Sequence, residues 1–200
     1  MPPHCSPAKL FLIATPIGNL DDFSKRAEVT LNHCDLIACE DTRVSSKLLS
    51  RYSIKKPLVS YREGNEKKQA SILTNQIKQG KNIALLSDAG LPTISDPGFR
   101  LVRECHLAGI EVVPIPGPNA AITALCASGL PTHQFLFLGF LPKKKVAASK
   151  LLQKWSDFSG SIIIYESRYK IIRTMSIFQD LFENERYICI AREITKVHET

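Results

Sequence analysis

The segment LLSDAGLPTISDPG, residues 85–98, holds two acidic, glycine-terminated turns, SDAG and SDPG, directly after an apolar run. Three more segments share that texture: TPIGNLDD from Thr15, EDTR from Glu40 and PGPN from Pro116. Glycine and proline let a backbone come close to a ligand and hold it through amide groups. Asp88, just past the apolar run, is placed to accept hydrogen bonds from ligand hydroxyls or amines. The second phrase reads as the start of a helix, with Ser95 or Asp96 near its cap and Pro97 at an early helical position. A plain turn explains any one of these loops taken alone. Four of them on one sheet edge point to a site.

The chemistry of that site is not phosphate cradling, because neither G-x-G-x-x-G nor G-x-x-x-x-G-K-[ST] occurs. The five histidines are scattered and read as surface or structural residues, and no Ser-His-Asp arrangement follows from residue order. Six cysteines (Cys5, Cys34, Cys39, Cys105, Cys126 and Cys189) form no C-x-x-C pair, so no metal site is expected. Several lie in apolar segments, where free cysteine acts as a small hydrophobe in a reducing compartment. A net charge of +7 suits an anionic partner, nucleic acid above all, and equally a basic surface kept for solubility.

The elements that must position these loops follow from the apolar runs. Residues 9–14, 35–39, 58–61, 82–87 and 111–115 read as five strands, each a continuous apolar run, as expected for strands buried on both faces. Between them lie a helix capped by Ser24, one through TRVSSKLLSRY, one from about Asn65 to Gly80, and FRLVRECHLAG. Strand–helix alternation at this spacing predicts an α/β fold with a parallel sheet and helices on both faces. In such a sheet, ligands bind at the carboxyl ends of the strands, where the unusual loops sit. After PIPGPN the texture changes to a small-residue helix, a strand over 135–140, a helix from the LPKKK loop to about Asp157, and a strand over 161–166. A helix from Ser167 to about Phe182 and a strand over 187–193 complete the reading. The expected organisation is a parallel-sheet domain over 1–117 and a second α/β domain over 118–200. Three strands make a thin second sheet.

The composition, 44% hydrophobic and 22% charged, belongs to an ordinary globular protein. The longest apolar runs are far too short to span a bilayer, and the N-terminus makes a poor signal peptide. A cytoplasmic protein without a membrane partner is the expectation.

The segments TPIGNLDD, DLIACEDTR, LLSDAGLPTISDPG, VVPIPGPNAAITALCASGLPT, GFLP, IIIYESR and AREITK together resemble the tetrapyrrole methylase-like superfamily. Within it they look like the branch that methylates a cytidine 2′-hydroxyl in the decoding region of 16S rRNA. The resemblance runs from about Leu10 to Thr200. It implies a two-domain α/β methyltransferase, a homodimer, with S-adenosylmethionine between the domains and the small ribosomal subunit as partner. Carried over residue by residue, the cofactor contacts fall on Ile17, Gly18, Asp88, Gly90, Leu91, Gly117, Pro118, Asn119 and Ala120. The second domain adds groups near Tyr165 and Glu166. Members of the superfamily continue well past TKVHET, so the second domain is expected to be incomplete over these residues.

Methyl transfer to a ribose hydroxyl is an in-line displacement that needs alignment and a proton acceptor or nearby cation. Glu40, Asp41 and Arg43, with Arg192, Glu193 and Lys196, are the charged groups nearest the implied site. An ion-pair set joining the domains explains them as well. Lys143, Lys144, Lys145 and Arg168 read either as RNA phosphate contacts or as a solvated basic face. Two other functions stay open: the same fold acting on a tetrapyrrole or a protein, and a cofactor- or RNA-binding module without turnover.

Overall fold

Four-residue apolar runs form the strands β1 (Leu10–Ile13), β2 (Leu36–Cys39), β4 (Ile83–Leu86) and β5 (Val112–Ile115), with β3 (Leu58–Ser60) shorter. The computed structural model describes residues 7–182 and 186–200, so Cys5 lies outside the described residues. All five strands pair in parallel in the order β3-β2-β4-β1-β5. All four β4 residues are buried, which is why that segment reads as apolar throughout.

Successive β4 side chains serve opposite faces. Ala84 and Leu86 join Ile13, Ile37 and Ile115 under Ala27, Leu31 and Leu49 from the helices α1 (Lys25–His33) and α2 (Thr42–Arg51). Ile83 and Leu85 join Leu10 and Ala38 under Leu73, Ile77 and Leu101 from α3 (Glu66–Lys78) and α4 (Phe99–Leu107). The sheet is therefore covered on both faces, as the sequence predicts. Handedness explains the distribution. The steps β1→β2 and β2→β3 run toward one edge of the sheet, while β3→β4 and β4→β5 run toward the other. Right-handed crossovers put the first two helices on one face and the last two on the opposite one. At the carboxyl end of β4 the chain thus leaves on the opposite face from its neighbours β1 and β2. That divergence opens a crevice.

Local chemistry sets the helix starts. Ser24 Oγ accepts the Ala27 amide at 3.1 Å to cap α1, as expected. The start of α4 differs from expectation. Neither Ser95 nor Asp96 caps it and Pro97 lies outside it; the cap is Gly98, at φ +145. A Cβ there would come within 2.8 Å of Thr93 Cγ2 and 2.9 Å of Leu85 Cδ2. The turn packs too tightly on β4 for any side chain.

The chain divides into two compact units between Asn119 and Ala120. The second contains α5 (Ala120–Ala127), β6 (Phe135–Phe140), α6 (Lys145–Gln153), β7 (Ser161–Tyr165) and α7 (Ile171–Phe182). Its two strands are parallel, with a register shift between Phe137 and Gly139. Its core centres on Ala148, Leu152 and Ile177. The helices α6 and α7 are each about four residues shorter than the sequence reading, ending at Gln153 and beginning at Ile171. The strand expected over 187–193 is absent. Its apolar residues have no ladder partner among the described residues, and Tyr187, Ile188 and Ile190 stand exposed. Instead the tail closes on itself, with Arg192 and Thr200 exchanging backbone hydrogen bonds of 2.6 and 3.0 Å. No described helix is long and apolar enough to cross a membrane.

Candidate ligand site at the carboxyl edge of the first sheet

Three strand ends converge around Gly90. Thr15, just after β1, and Gly90 exchange backbone hydrogen bonds of 2.9 and 3.0 Å, so the β1 and β4 loops are laced together. Two buried hydroxyls brace the lacing: Thr15 Oγ1 donates to the Ser87 carbonyl at 3.1 Å, and Ser87 Oγ donates to the Gly90 carbonyl at 3.0 Å. Gly90 adopts φ +82, and a Cβ on it would lie 3.5 Å from Ile17 Cγ2 and 3.7 Å from the Pro118 carbonyl oxygen. Gly117, after β5, approaches β1 so closely that a Cβ would sit 2.8 Å from that of Ala14. Ile17, Gly90 and Pro118 thus lie together, with glycine required at 90 by its positive φ and at 117 by the close approach to Ala14. Gly18 and Asp88 are exposed beside them, Leu91 and Asn119 half-buried.

The β2 loop joins through Asp88, whose Oδ1 accepts the Asp41 amide at 3.1 Å. Asp41 itself caps α2, accepting the Arg43 amide at 2.8 Å and the Arg43 guanidinium at 3.0 and 2.6 Å. Those hydrogen bonds hold the Asp41 carboxyl down at about 2. Its lone pairs are committed, so it positions Arg43 and the α2 start and takes up no proton near neutrality. Glu40 is the opposite case. Burial raises its pKa first, and Asp88, Asp96 and Asp41 raise it further. Asp96 is raised by burial and by Asp88. This edge concentrates carboxylates on a protein whose overall charge is positive. It favours a ligand bearing cationic and hydrogen-bond-donating groups and disfavours phosphate.

The remaining sequence candidates belong to the second unit, beginning with Ala120 at the start of α5. The Tyr165 ring packs at 5.0 Å from that of Phe137 and 5.5 Å from that of Phe140. Glu166 accepts the Ser167 amide and the Thr174 hydroxyl, each at 2.7 Å, and so anchors the approach to α7. Arg168 lies over the Tyr169 ring. Lys143 and Lys144 are exposed, whereas Lys145 pairs with Asp180 at 2.9 Å. Glu193 and Lys196 pair with each other at 3.3 Å, one turn apart in the tail. Among the described residues, no three histidine, cysteine or carboxylate groups are arranged to hold a metal ion.

The sequence reading passed over Thr15 and Ser87. Their signal was a hydroxyl residue at the end of a buried apolar run, where a buried hydroxyl must find an acceptor. It also took Asp96 for a helix cap rather than a member of the acidic edge.

Comparison with known proteins identifies the family. The family model described as Tetrapyrrole (Corrin/Porphyrin) Methylases matches residues 9–200. A protein of Haemophilus influenzae named ribosomal RNA small subunit methyltransferase I is 53% identical over 191 residues, 96% of this chain and 68% of its own length. Proteins of the same name from Pasteurella multocida and Escherichia coli O157:H7 are 51% and 44% identical, each again covered over 68% of its length. The chain therefore spans about two thirds of these relatives. Among solved structures, a cobalt precorrin-4 methyltransferase aligns with a TM-score of 0.69 at 15% identity, over 99% of this chain and 85% of that one. A uroporphyrin-III C-methyltransferase from Thermus thermophilus aligns at 0.52 with 23% identity, over 70% of this chain and 61% of that one. At those identities the structures speak to the fold alone.

Proposed function

The chain belongs to the tetrapyrrole methylase family, within it to the kind named ribosomal RNA small subunit methyltransferase I, and from that premise we propose what it methylates and how. The reaction is transfer of a methyl group from S-adenosylmethionine to a cytidine 2′-hydroxyl in the decoding region of 16S rRNA, in the small ribosomal subunit. The observation that carries the cofactor assignment is the acidic, glycine-gapped edge around Gly90. A sulfonium donor brings a cation, an amine and ribose hydroxyls but no phosphate. Glu40, Asp88 and Asp96 suit those groups, while Gly117 lets the β5 loop close on Ala14 and Gly90 supplies the positive φ that turns the β4 loop beside Ile17 and Pro118. The names of the relatives weigh against a tetrapyrrole or protein substrate.

When bound, the donor supplies an activated methyl group with a neutral thioether as leaving group. The chain's own residues have to orient the acceptor and take its proton. Asp88 and the backbone around Ile17, Gly90 and Pro118 hold the donor. Arg43, fixed by Asp41, steadies the approaching ribose-phosphate. Glu40, more basic than an ordinary carboxylate, takes the proton released as the O–C bond forms. Tyr165, Glu166, Glu193 and Lys196 belong to this proposal as contacts from the second unit. A cytoplasmic homodimer completes it.

Calorimetry with S-adenosylhomocysteine tests the cofactor assignment. Asp88→Asn is expected to weaken binding roughly tenfold or more, the size of a lost hydrogen bond to a charged group. Labelled S-adenosylmethionine with undermethylated small subunits tests the reaction. Tight binding of NAD, with no response to the methyl cofactor, overturns the reading.

A further inference from the structure

The helices α3 and α4 begin side by side at the carboxyl edge, where Glu66 Oε1 accepts the Gly98 amide at 3.0 Å. An open hollow lies there, lined by residues 63–68 and Arg100. Arg62, Lys67, Lys68 and Arg100 are exposed around it. None of the four pairs with a carboxylate among the described residues, unlike Arg43 or Lys145. Two acids, Glu63 and Glu66, line the same hollow, the second also accepting the Gly98 amide, so four cations face two carboxylates. The rim is positive where the neighbouring edge is negative.

Next to Arg100, at the first position of α4 and directly after the Gly98 that Glu66 holds, Phe99 leaves 69% of its surface in water. A phenyl ring that open, at the first residue of a helix, gives up most of the burial that usually places it inside. Its position is fixed by the capping Gly98, and so by the loop that carries Asp88 and Gly90. A protein partner is a poor match, since lysine is depleted from the centre of protein interfaces. Single-stranded RNA is a good one, because unstacked bases lie on exposed aromatic rings while basic side chains follow the phosphates.

We propose that this rim grips an unpaired stretch of the substrate RNA, with one base stacked on Phe99 and flanking phosphates on Arg62, Lys67, Lys68 and Arg100. The inference rests on the rRNA reading and adds to it the surface by which the strand is held. The acidic edge repels phosphates and the basic rim collects them, so the strand's backbone runs along the rim while a ribose reaches inward.

The test uses the full-length protein, a fluorescent single-stranded RNA of mixed sequence and a duplex control. Phe99→Ala is expected to weaken single-strand binding roughly tenfold or more and to change duplex binding little. The fourfold variant Arg62→Gln, Lys67→Gln, Lys68→Gln, Arg100→Gln should flatten the slope of log affinity against log salt by roughly 3, at about 0.7 per phosphate contact. Binding of S-adenosylhomocysteine should match wild type in both variants, which excludes misfolding. Phe99→Trp should restore the strand affinity. An unchanged salt slope overturns the proposal. So does a Phe99→Ala protein that changes its oligomeric mass while binding RNA normally, since the ring then serves contacts between copies. If the wild type shows these responses yet methylates no small subunits, the reaction reading fails and the surface stands. If the fourfold variant methylates small subunits at the wild-type rate, the surface fails and the reaction stands.

Discussion

In the first unit, every β4 residue is buried and two helices cover each face of the sheet. In the second, two strands and three helices centre on three fully buried side chains, all from α6 and α7, while Phe140, Ile172 and Tyr187 stand in solvent. The lengths of apolar sequence are similar, and what differs is the number of partners. A strand completes its hydrogen bonds and buries its faces only through neighbours. The first unit supplies each strand with such neighbours and can therefore carry an edge crowded with like charges.

The sharpest way to break that contrast is to truncate one apolar side chain in each unit. Leu85→Ala, at a fully buried position of the central strand, is expected to lower stability by about 2–5 kcal/mol in urea unfolding. Phe140→Ala, at a residue 61% exposed, should cost well under 1 kcal/mol. Equal costs would mean that Phe140 is covered in the folded protein, and the second unit would then be better partnered than its own strands suggest.

A middle-sized effect separates tight turns from loose ones. Gly98→Ala places a methyl group against Thr93 and Leu85 in a backbone conformation that L-residues rarely adopt, and should cost roughly 1–3 kcal/mol. Gly64→Ala meets nothing within 4 Å and should be almost neutral. Thermal melts of the two proteins, run side by side, decide whether the β4 loop is as rigidly seated as its contacts imply.

The smallest effect concerns charge. The folded state raises the Glu40 pKa, so it prefers the protonated form and loses stability as pH climbs through that raised value. Glu40→Gln should therefore stabilise the protein slightly at pH 7, by no more than about half a kcal/mol on this half-open edge. The gain should shrink as pH falls from the raised value toward 4.5, the ordinary one, because the wild-type side chain is then neutral too. Lys145→Ala in the second unit removes an exposed pair with Asp180 and should shift stability little, with no comparable dependence in that window. A Gln variant that is less stable than wild type at pH 7 would mean Glu40 has an attractive partner.

How much of this was legible in the sequence follows the same division. The inner strands β2 and β4 show as continuous apolar runs because both their faces are buried, the edge strands β3 and β5 are legible although half-buried, and Ser24 shows as a cap because capping is local chemistry. The parallel sheet and its carboxyl edge follow from the alternation alone. The strand expected over 187–193 fails because pattern signals a capacity to pair, while the partner is a property of the rest of the molecule. Gly98 displaces Ser95 and Asp96 as the α4 cap because packing on Leu85 decides the turn, and residue order carries no packing distances. The site was legible as loops but not as electrostatics. That Glu40, Asp88 and Asp96 share one edge depends on β4 lying beside β2, a neighbour relation set by topology.

The lacing of Thr15 to Gly90 bears on how this fold can be re-engineered. Two loops whose joined residues lie 75 apart in the chain are held by reciprocal amides and braced by two buried hydroxyls, each donating to a carbonyl of the β4 loop. They behave as one heritable part. A chimera that imports residues 87–98 from another methylase while retaining the native 14–18 would mate strangers at that seam. A single recombination breakpoint between Thr15 and Gly90 divides the pair and should be selected against, whereas one within the second unit leaves it whole and should be tolerated.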